Sequence, residues 1–257
     1  MLIDYSAVSG VGVLTLNRPP ANAYDSAMLA ELRAAVLRVA EDPSVRVAVV
    51  RSDNPKFFCA GADIRTLKDA PRARFAHFLT LAQEAADAIC RTPKLFIAAI
   101  NGHCLGGGLE IALSCDFRWA AAGNYQLGLP EVILGLSPGM GGTQRLPRLI
   151  PRGKALQMLV SGDPVKPDEA LALGLVDKVV PAENLDAEVM AFARKLAGGA
   201  TLAQGLMKLA VNNGMEASLA QGLVIERAYQ GQLFASDDAA EGVRAFLEKR
   251  RPKFTGQ

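Results

Sequence analysis

The feature that most constrains the fold of this sequence is an apolar run followed by a glycine-rich turn and a helical pattern. The run covers residues 95–100, four glycines fall between Gly102 and Gly108, and the helical pattern begins at Leu109 with Glu110 in its first turn. Such a run is typical of a buried strand. Glycine leaves backbone N–H groups uncovered, and a helix N-terminus adds about half a positive charge pointing the same way. The segment therefore predicts a place that can hold a developing anion, with a carboxylate one turn away that can move a proton.

The segments before this turn alternate between strand and helix patterns. Residues 11–16 predict a strand, residues 26–39 carry apolar side chains at helical spacing, and the valine-rich residues 45–50 predict a strand covered on both faces. Residues 67–89 indicate a further helix. A strand–helix–strand order predicts a right-handed crossover and therefore an α/β domain.

The segments after the turn are mostly helical. Residues 128–144 are dense in Gly and Pro and predict an ordered loop with short helical turns. Further elements are expected at these positions: a helix from 109 to about 115, a strand at 117–120, helices at 155–160, 167–173 and 185–197, and a strand at 176–180. Residues 201–254 read as helical throughout, with Asn212-Asn213-Gly214 as a candidate break. Gly198-Gly199 is the best boundary, which predicts a core portion at 1–197 and a helical portion at 198–257.

Composition excludes several classes of protein. The chain has 257 residues, enough for one large domain, and its 28 basic residues nearly balance 26 acidic ones. This balance gives no sign of a nucleic-acid-binding surface. Only Lys249-Arg250-Arg251-Pro252-Lys253 is locally basic. We interpret it as a solvated helix end, with contact to an anionic ligand as the alternative.

The cysteines and the N-terminus indicate a location inside the cell. The four cysteines form no CxxC pair, so we expect free buried thiols in a reducing compartment and no metal site. The first residues lack the basic and apolar regions of a signal peptide. No apolar run approaches the roughly 18 residues of a membrane span. We therefore expect a cytoplasmic protein without a membrane span.

Two backbone turns and two carboxylates are the candidate chemistry. Ala60-Gly61-Ala62 and Gly106-Gly107-Gly108 each follow a buried strand and precede a helix, so their N–H groups are candidates for one oxyanion hole. The alternative is that these glycines only permit close packing. Glu131 stands in an apolar segment, which predicts a raised pKa suited to proton transfer. The alternatives are a helix-start acid for Glu110 and a solvated loop acid for Glu131.

Other catalytic schemes find little support. His77 lies in an amphipathic helical pattern and His103 inside the glycine turn, where packing roles are favoured over general-base work. The sequence has no H-E-x-x-H and no P-loop, and its glycines lack the spacing of a dinucleotide-binding turn.

Over nearly its whole length the chain resembles the crotonase superfamily, specifically the enoyl-CoA hydratases. The motifs that carry the resemblance are Asn17-Arg18-Pro19, residues 58–64, residues 99–110, Pro130-Glu131 and residues 138–146. The resemblance implies a spiral of stacked ββα units with a helical C-terminal portion that takes part in trimerisation, commonly as a dimer of trimers.

The resemblance also implies roles for individual residues. The N–H groups of Ala62 and Gly107 would hold the thioester oxygen of an acyl-CoA. Glu110 and Glu131 would be the catalytic pair, with Glu131 the protonated donor to C2, because its setting is the more apolar, and Glu110 the charged partner that activates water. The coenzyme A part of the substrate and the acyl pocket would be bound by Arg18, Ala21, Asn22, Ala60, Gly61, Asp63, Ile64, Arg65, Pro130 and Gly139. No metal or separate cofactor is implied.

Two departures from the family pattern affect these expectations. Arg65 stands where many hydratases carry Lys, which keeps a cation for a CoA phosphate with a different geometry. Tyr24 replaces the commoner leucine of the segment that follows Arg18 and is expected to narrow or redirect the acyl channel. The alternatives to hydration are a Δ3,Δ2-enoyl-CoA isomerase and, from a different class, an RNA-binding relative, for which the expected basic helix with interleaved aromatics is missing.

Overall fold

The protein is described by a computed structural model over residues 1–68 and 71–257. Its strands are β1 (Ile3–Val8), β2 (Val11–Leu16), β3 (Val47–Ser52), β4 (Phe57–Cys59), β5 (Leu95–Ile100), β6 (His103–Leu105), β7 (Phe117–Ala121), β8 (Leu127–Gly128) and β9 (Lys178–Val180). Its helices are α1 (Ser26–Glu41), α2 (Ile64–Leu67), α3 (Arg72–Arg91), α4 (Gly107–Ser114), α5 (Gly142–Leu149), α6 (Arg152–Ser161), α7 (Pro167–Leu173), α8 (Leu185–Ala197), α9 (Thr201–Met215), α10 (Leu219–Phe234) and α11 (Asp237–Leu247). Residues 130–134 and 182–184 form short 3-10 helices.

A six-stranded sheet in the order β1-β2-β3-β5-β7-β9 forms the centre of the core. β1 and β2 are antiparallel, and the other pairs are parallel. Helix α8 contacts four of these strands and covers one face of the sheet. Residues 11–16 are buried at every position, because this strand is covered on both faces.

A second, three-stranded parallel sheet lies beside the first in the order β4-β6-β8. β3, β5 and β7 of the large sheet are each followed along the chain by a short strand of this second sheet. The chain then enters a helix after β4, β6 and β8, with a 3-10 helix in the last case. This repetition confirms the expected stacked ββα units.

The short strands were not expected from the sequence. The predicted glycine turn contains β6, because the chain leaves the large sheet at Asn101-Gly102 and pairs in the second sheet before it reaches the helix. Glycine is required at this passage, since a Cβ atom on Gly102 would lie 2.4 Å from the carbonyl oxygen of Lys56. Strands of two or three residues are too short to show a period of two.

The predicted helix across residues 67–89 is divided between α2 and α3. Residues 69 and 70, which fall inside the predicted helix, lie outside the described residues. The helical pattern that was expected to begin at Leu109 begins two residues earlier, at Gly107. This difference places a glycine N–H in the first turn of α4.

Two expectations about the C-terminal region were wrong. Helix α9 continues through Asn212-Asn213-Gly214, and the break falls at residues 216–218, where Ser218 caps α10. Residues 248–257 are not helical. The basic tail folds back instead, because Arg250 forms ion pairs with Glu241 at 2.6 Å and with Glu248 at 2.5 Å.

Helix α9 is held against the core by a buried cation and a glycine. Lys208 Nζ donates to the carbonyl oxygens of Ile89 (2.7 Å) and Lys94 (2.9 Å) and lies 2.9 Å from Asp116. A Cβ atom on Gly205 would lie 2.1 Å from the carbonyl oxygen of Pro93, so the two backbones are in direct contact. The proposed boundary falls between α8 and α9, and the division at 197/198 stays a prediction.

The four cysteines are free, as expected. Cys59, Cys104 and Cys115 are buried and Cys90 is half-buried. Within residues 1–68 and 71–257, none of the helices combines the length and the apolar character required to cross a bilayer.

The contact between Gly205 and Pro93 predicts a selective loss of stability. Gly205→Ala should lower the free energy of unfolding by about 1–3 kcal/mol, because the added methyl group must displace backbone rather than a flexible side chain. Urea denaturation followed by circular dichroism measures this loss. Gly153→Ala in α6 is the matched control, since a Cβ atom there meets no described atom within 4 Å. Equal stability of the two variants would contradict the close docking of α9.

Candidate active site

The strand pairing around Ala62 leaves its N–H group without an acceptor among residues 1–68 and 71–257. Tyr24 and Ala62 form a parallel bridge, in which Tyr24 N donates to Gly61 O and Asp63 N donates to Tyr24 O, both at 2.8 Å. A parallel bridge of this kind uses the residues that flank Ala62, so the N–H of Ala62 points to the opposite side. Gly61 allows this geometry with a φ of 90°, in the left-handed region.

The N–H group of Gly107 is left without a partner by its place at the start of α4. The first N–H groups of a helix have no intrahelical acceptor. A Cβ atom on Gly61 would lie 3.2 Å from Gly107 N, so this N–H belongs to a backbone that packs directly against the Ala62 segment. Two free N–H groups therefore lie on adjacent segments, which is the arrangement of an oxyanion hole.

The neighbouring glycines serve close packing. A Cβ atom on Gly108 would lie 2.2 Å from the carbonyl oxygen of Cys59, and Gly106 has a φ of 53°. Close packing therefore explains Gly108 and the left-handed turn explains Gly106, whereas the role of the Gly107 N–H as an oxyanion donor stays a prediction.

A cavity of about 130 Å³ lies in front of these N–H groups. Its apolar wall includes Phe75, Phe78, Leu79 and Ala82 of α3. Its polar side chains are Tyr24, Glu110, Glu131 and Ser137. An apolar cavity with few convergent polar groups is the usual form of a small-molecule site.

Glu110 lies one turn into α4 and is 2% exposed. Its Oε1 accepts hydrogen bonds from the backbone N–H groups of Met140 and Gly142, both at 2.7 Å. Burial raises the pKa of Glu110, and these two N–H groups oppose the rise. Donors directed at a carboxylate oxygen stabilise the ionised form.

Glu131 stands in the first turn of the 3-10 helix at 130–134. A Cβ atom on Gly106 would lie 3.1 Å from Glu131 Oε1, so the carboxyl group lies against the glycine turn. Its Oε2 is buried and has no hydrogen-bond partner among the described residues. Burial, followed by the negative charge of Glu110, raises the pKa of Glu131 to about 7.

The two carboxyl groups differ in how readily they ionise, and the cause of this difference is not the expected one. Glu131 was expected to have the more apolar setting, but Glu110 is the more deeply buried of the two. Glu110 has two N–H donors on one oxygen, whereas an oxygen of Glu131 has none. Hydrogen bonding rather than polarity of the surroundings therefore distinguishes them.

Most of the residues that the sequence predicted for the site line the cavity. The predicted N–H donors and carboxylates do so, namely Ala62, Gly107, Glu110 and Glu131. So do five of the residues predicted to bind the substrate, namely Ala60, Gly61, Ile64, Pro130 and Gly139. The other five, Arg18, Ala21, Asn22, Asp63 and Arg65, lie outside it.

Asn22 does not have the expected contact role. It is 1% exposed, and its Nδ2 donates to Ser52 Oγ at 2.8 Å and to Phe58 O at 3.0 Å, while its Oδ1 accepts from Arg18 N at 2.8 Å. Because these hydrogen bonds occupy its side chain, Asn22 holds the loop behind the site in place and does not present that side chain to a ligand. Ala21 supports the same loop, because its carbonyl oxygen accepts from Ala60 N at 3.0 Å.

Arg18, Asp63 and Arg65 form one charged cluster next to the cavity residue Ile64. Asp63 caps α2 and lies 3.0 Å from Arg18 Nη2 and 2.9 Å from Arg65 Nε. The hydrogen bonds from Arg65 and Arg18 lower the pKa of Asp63 to about 2. The Arg65 side chain remains 81% exposed, so this cluster keeps an accessible cation at the surface.

Sequence reasoning missed the residues that hold Glu110 in place. Met140 and Gly142 act through backbone N–H groups, which leave no side-chain signal. Arg145 holds the same loop, since its Nη1 donates to Met140 O at 2.6 Å and its Nη2 lies 3.1 Å from Asp87. The motif at 138–146 marked this loop without indicating what it does.

The two histidines have no place in the site. His103 Nδ1 accepts from Gln126 N at 3.3 Å, and the ring packs 5.3 Å from Phe57. His77 is exposed on α3.

Comparison with known proteins agrees with this geometry. A family model described as enoyl-CoA hydratase/isomerase matches residues 6–257. A crotonyl-CoA hydratase of Syntrophomonas wolfei is 43% identical over 95% of this chain and 94% of its own length. A short-chain-enoyl-CoA hydratase of Clostridium acetobutylicum is 39% identical over 94% of this chain and 92% of its own length.

A solved structure shows the same fold. The crystal structure of an enoyl-CoA hydratase from Geobacillus kaustophilus superposes with a TM-score of 0.97 at 42% identity, covering 100% of this chain and 97% of the other. The stacked ββα units and the family match across nearly the whole chain lead to one conclusion: this protein belongs to the enoyl-CoA hydratase/isomerase family of the crotonase superfamily.

Proposed function

We propose that this enzyme adds water to a trans-2-enoyl-CoA and forms a 3-hydroxyacyl-CoA. The observation that carries the proposal is the presence of two carboxyl groups in different hydrogen-bonding environments in one cavity. The same cavity is lined by Ala62 and Gly107, whose N–H groups have no acceptor among the described residues. The relatives named crotonyl-CoA hydratase and short-chain-enoyl-CoA hydratase support it.

In the proposed reaction the thioester oxygen accepts hydrogen bonds from the N–H groups of Ala62 and Gly107. This withdraws electron density from C3 and stabilises the enolate that forms when an oxygen adds there. Glu110 accepts a proton from water as the water oxygen bonds to C3. Glu131 donates a proton to C2, and the proton taken up by Glu110 passes back to Glu131 before the next turnover, so that the elements of one water molecule are added across the double bond.

The two environments favour this division of roles. A general base must be ionised at the working pH, and the N–H groups of Met140 and Gly142 stabilise the ionised form of Glu110. A general acid must carry a proton, and the buried Oε2 of Glu131 without a partner favours the protonated form. The proton removed from water and the proton delivered to C2 thus pass through different groups.

We propose that the charged cluster next to the cavity binds the coenzyme A part of the substrate. Arg65 carries an accessible guanidinium group whose orientation is fixed by Asp63, and Arg18 shares the same carboxylate. A guanidinium group binds phosphate oxygens with two parallel hydrogen bonds. The proposal needs no metal and no cofactor apart from the coenzyme A of the substrate.

The second candidate is the isomerisation of a 3-enoyl-CoA, which the description of the family includes. An isomerase needs one group to move a proton between carbons, and Glu131 alone would suffice. The loop that holds Glu110 with two N–H groups would then have no function in the reaction. Hydration uses both carboxyl groups and is therefore preferred.

We also propose that three copies of the chain, or two such trimers, form the active assembly, in the cytoplasm. The C-terminal helices leave large apolar side chains uncovered within one chain, among them Met215, Leu219, Phe234 and Phe246. Large apolar side chains left exposed in this way are in keeping with a subunit interface. The free buried cysteines are in keeping with a reducing compartment.

Product analysis tests the reaction. With crotonyl-CoA we expect 3-hydroxybutanoyl-CoA, detected by liquid chromatography and mass spectrometry, with loss of absorbance from the conjugated thioester.

Glu131→Gln should lower kcat by at least about a hundredfold while acyl-CoA binding is kept, since the amide keeps the shape but cannot donate the proton. Exposed Glu183→Gln is the matched control with native turnover. Conversion of a 3-enoyl-CoA without any hydration product would replace the proposal with isomerisation.

The coupling between the carboxyl groups predicts a change in titration. The pKa of Glu131 should lie near 7 in the native enzyme and fall in Glu110→Gln, because removing a nearby negative charge favours ionisation. Carbon-13 NMR of labelled glutamate measures this, with the signal assigned by its loss in Glu131→Gln. An unchanged midpoint in Glu110→Gln would contradict the coupling.

The assembly is tested by light scattering coupled to size-exclusion chromatography. The expected mass is three or six times the 27.2 kDa of one chain. Phe246→Asp should reduce it, because a charge placed in an apolar interface is costly to bury. A native mass equal to one chain would contradict the proposed assembly.

A further inference from the structure

Tyr24 combines deep burial with a hydroxyl group that has no protein partner. The residue is 4% exposed, and its ring stacks on Phe78 with centroids 5.9 Å apart. Neither a backbone nor a side-chain group among the described residues forms a hydrogen bond with its hydroxyl group, in contrast to Tyr125, whose hydroxyl lies 2.7 Å from Ala121 O. Tyr24 lines the cavity, so its hydroxyl group is open to a hydrogen bond with a molecule bound there.

The hydroxyl group of Tyr24 lies at the start of α4. A Cβ atom on Gly107 would lie only 1.8 Å from it, so the hydroxyl occupies the space that a side chain at Gly107 would fill. A Cβ atom lies about 2.5 Å from the nitrogen of its own residue, which places the hydroxyl at most about 4.3 Å from Gly107 N. An oxygen that accepts from Gly107 N–H at about 2.9 Å is within reach of both groups.

The backbone of Tyr24 contacts the other half of the same site. Its N–H and its carbonyl oxygen hold Gly61 and Asp63, the two neighbours of Ala62. Its side chain then extends from this segment to Gly107. One residue thus spans the two segments that present the free N–H groups.

We propose that the Tyr24 hydroxyl is a third hydrogen-bond donor to the thioester oxygen, beside the N–H groups of Ala62 and Gly107. A neutral phenol is suited to this, because it donates to a developing enolate without adding a charge. Burial and the nearby Glu110 raise the pKa of Tyr24, so the group keeps its proton at neutral pH. Phenylalanine at this position would fill the same space without the donor.

This inference rests on the proposed hydration, and the experiment separates the two. A conjugated cinnamoyl-CoA thioester absorbs at longer wavelength when its carbonyl oxygen is polarised, so its spectrum reports the oxyanion hole without turnover. Tyr24→Phe should reduce the red shift of the bound thioester and lower kcat for crotonyl-CoA at least about tenfold, with a smaller change in KM. The thermal midpoint should not fall, because the lost hydroxyl had no protein partner.

Tyr125→Phe is the matched control. Its hydroxyl bonds to the carbonyl oxygens of Ile100 and Ala121 and does not line the cavity, so its loss should lower the thermal midpoint and leave the red shift native. A native red shift and native kcat in Tyr24→Phe would overturn the inference. A native red shift together with an altered preference among acyl chains would also overturn the inference. The Tyr24 hydroxyl would then contact the acyl chain rather than the thioester oxygen. A native enzyme that polarises the thioester without forming a hydration product would defeat only the proposed hydration.

Discussion

The site depends on the direct contact of two backbones. The Gly61 segment and the start of α4 lie so close that a single methyl group would not fit between them, and the proposed oxyanion hole of two N–H groups depends on this closeness. A side chain on either segment would hold the two backbones apart, so this contact requires glycine. The second sheet maintains the spacing, since β4 and β6 pair just before the two segments diverge into helices.

The same contact explains which parts of the site were predictable. Glycines at Gly106 and Gly108 and a carboxylate at Glu110 are visible in the sequence, and so is the buried strand that leads to them. The length of that strand and the positions of α1, α7 and α8 follow from apolar periodicity. The short strands β4, β6 and β8 do not, because each depends on pairing with segments distant in the chain.

The hydrogen bonds that distinguish Glu110 from Glu131 were equally beyond sequence reasoning. Local composition indicated that Glu131 would be hard to ionise, in agreement with its raised pKa, but it could not show that Glu110 is buried as well and differs by its hydrogen bonds. The N–H groups of Met140 and Gly142 reach Glu110 from a loop thirty residues away in the chain. Asn22 shows the same limit: a polar residue within a recognised motif turned out to bind the protein itself.

Through Lys208, helix α9 helps to hold β5 in place beside the candidate site. Its ammonium group is the counter-ion of Asp116, and Asp116 in turn accepts from the backbone N–H of Phe96 in β5, the strand that ends at the glycine turn. Removal of the Lys208 charge with α9 still docked would leave the Asp116 carboxylate without its ion-pair partner, a change that costs about 3–5 kcal/mol in buried pairs. The contacts that hold β5 in place therefore include a residue from beyond the predicted boundary at 197/198.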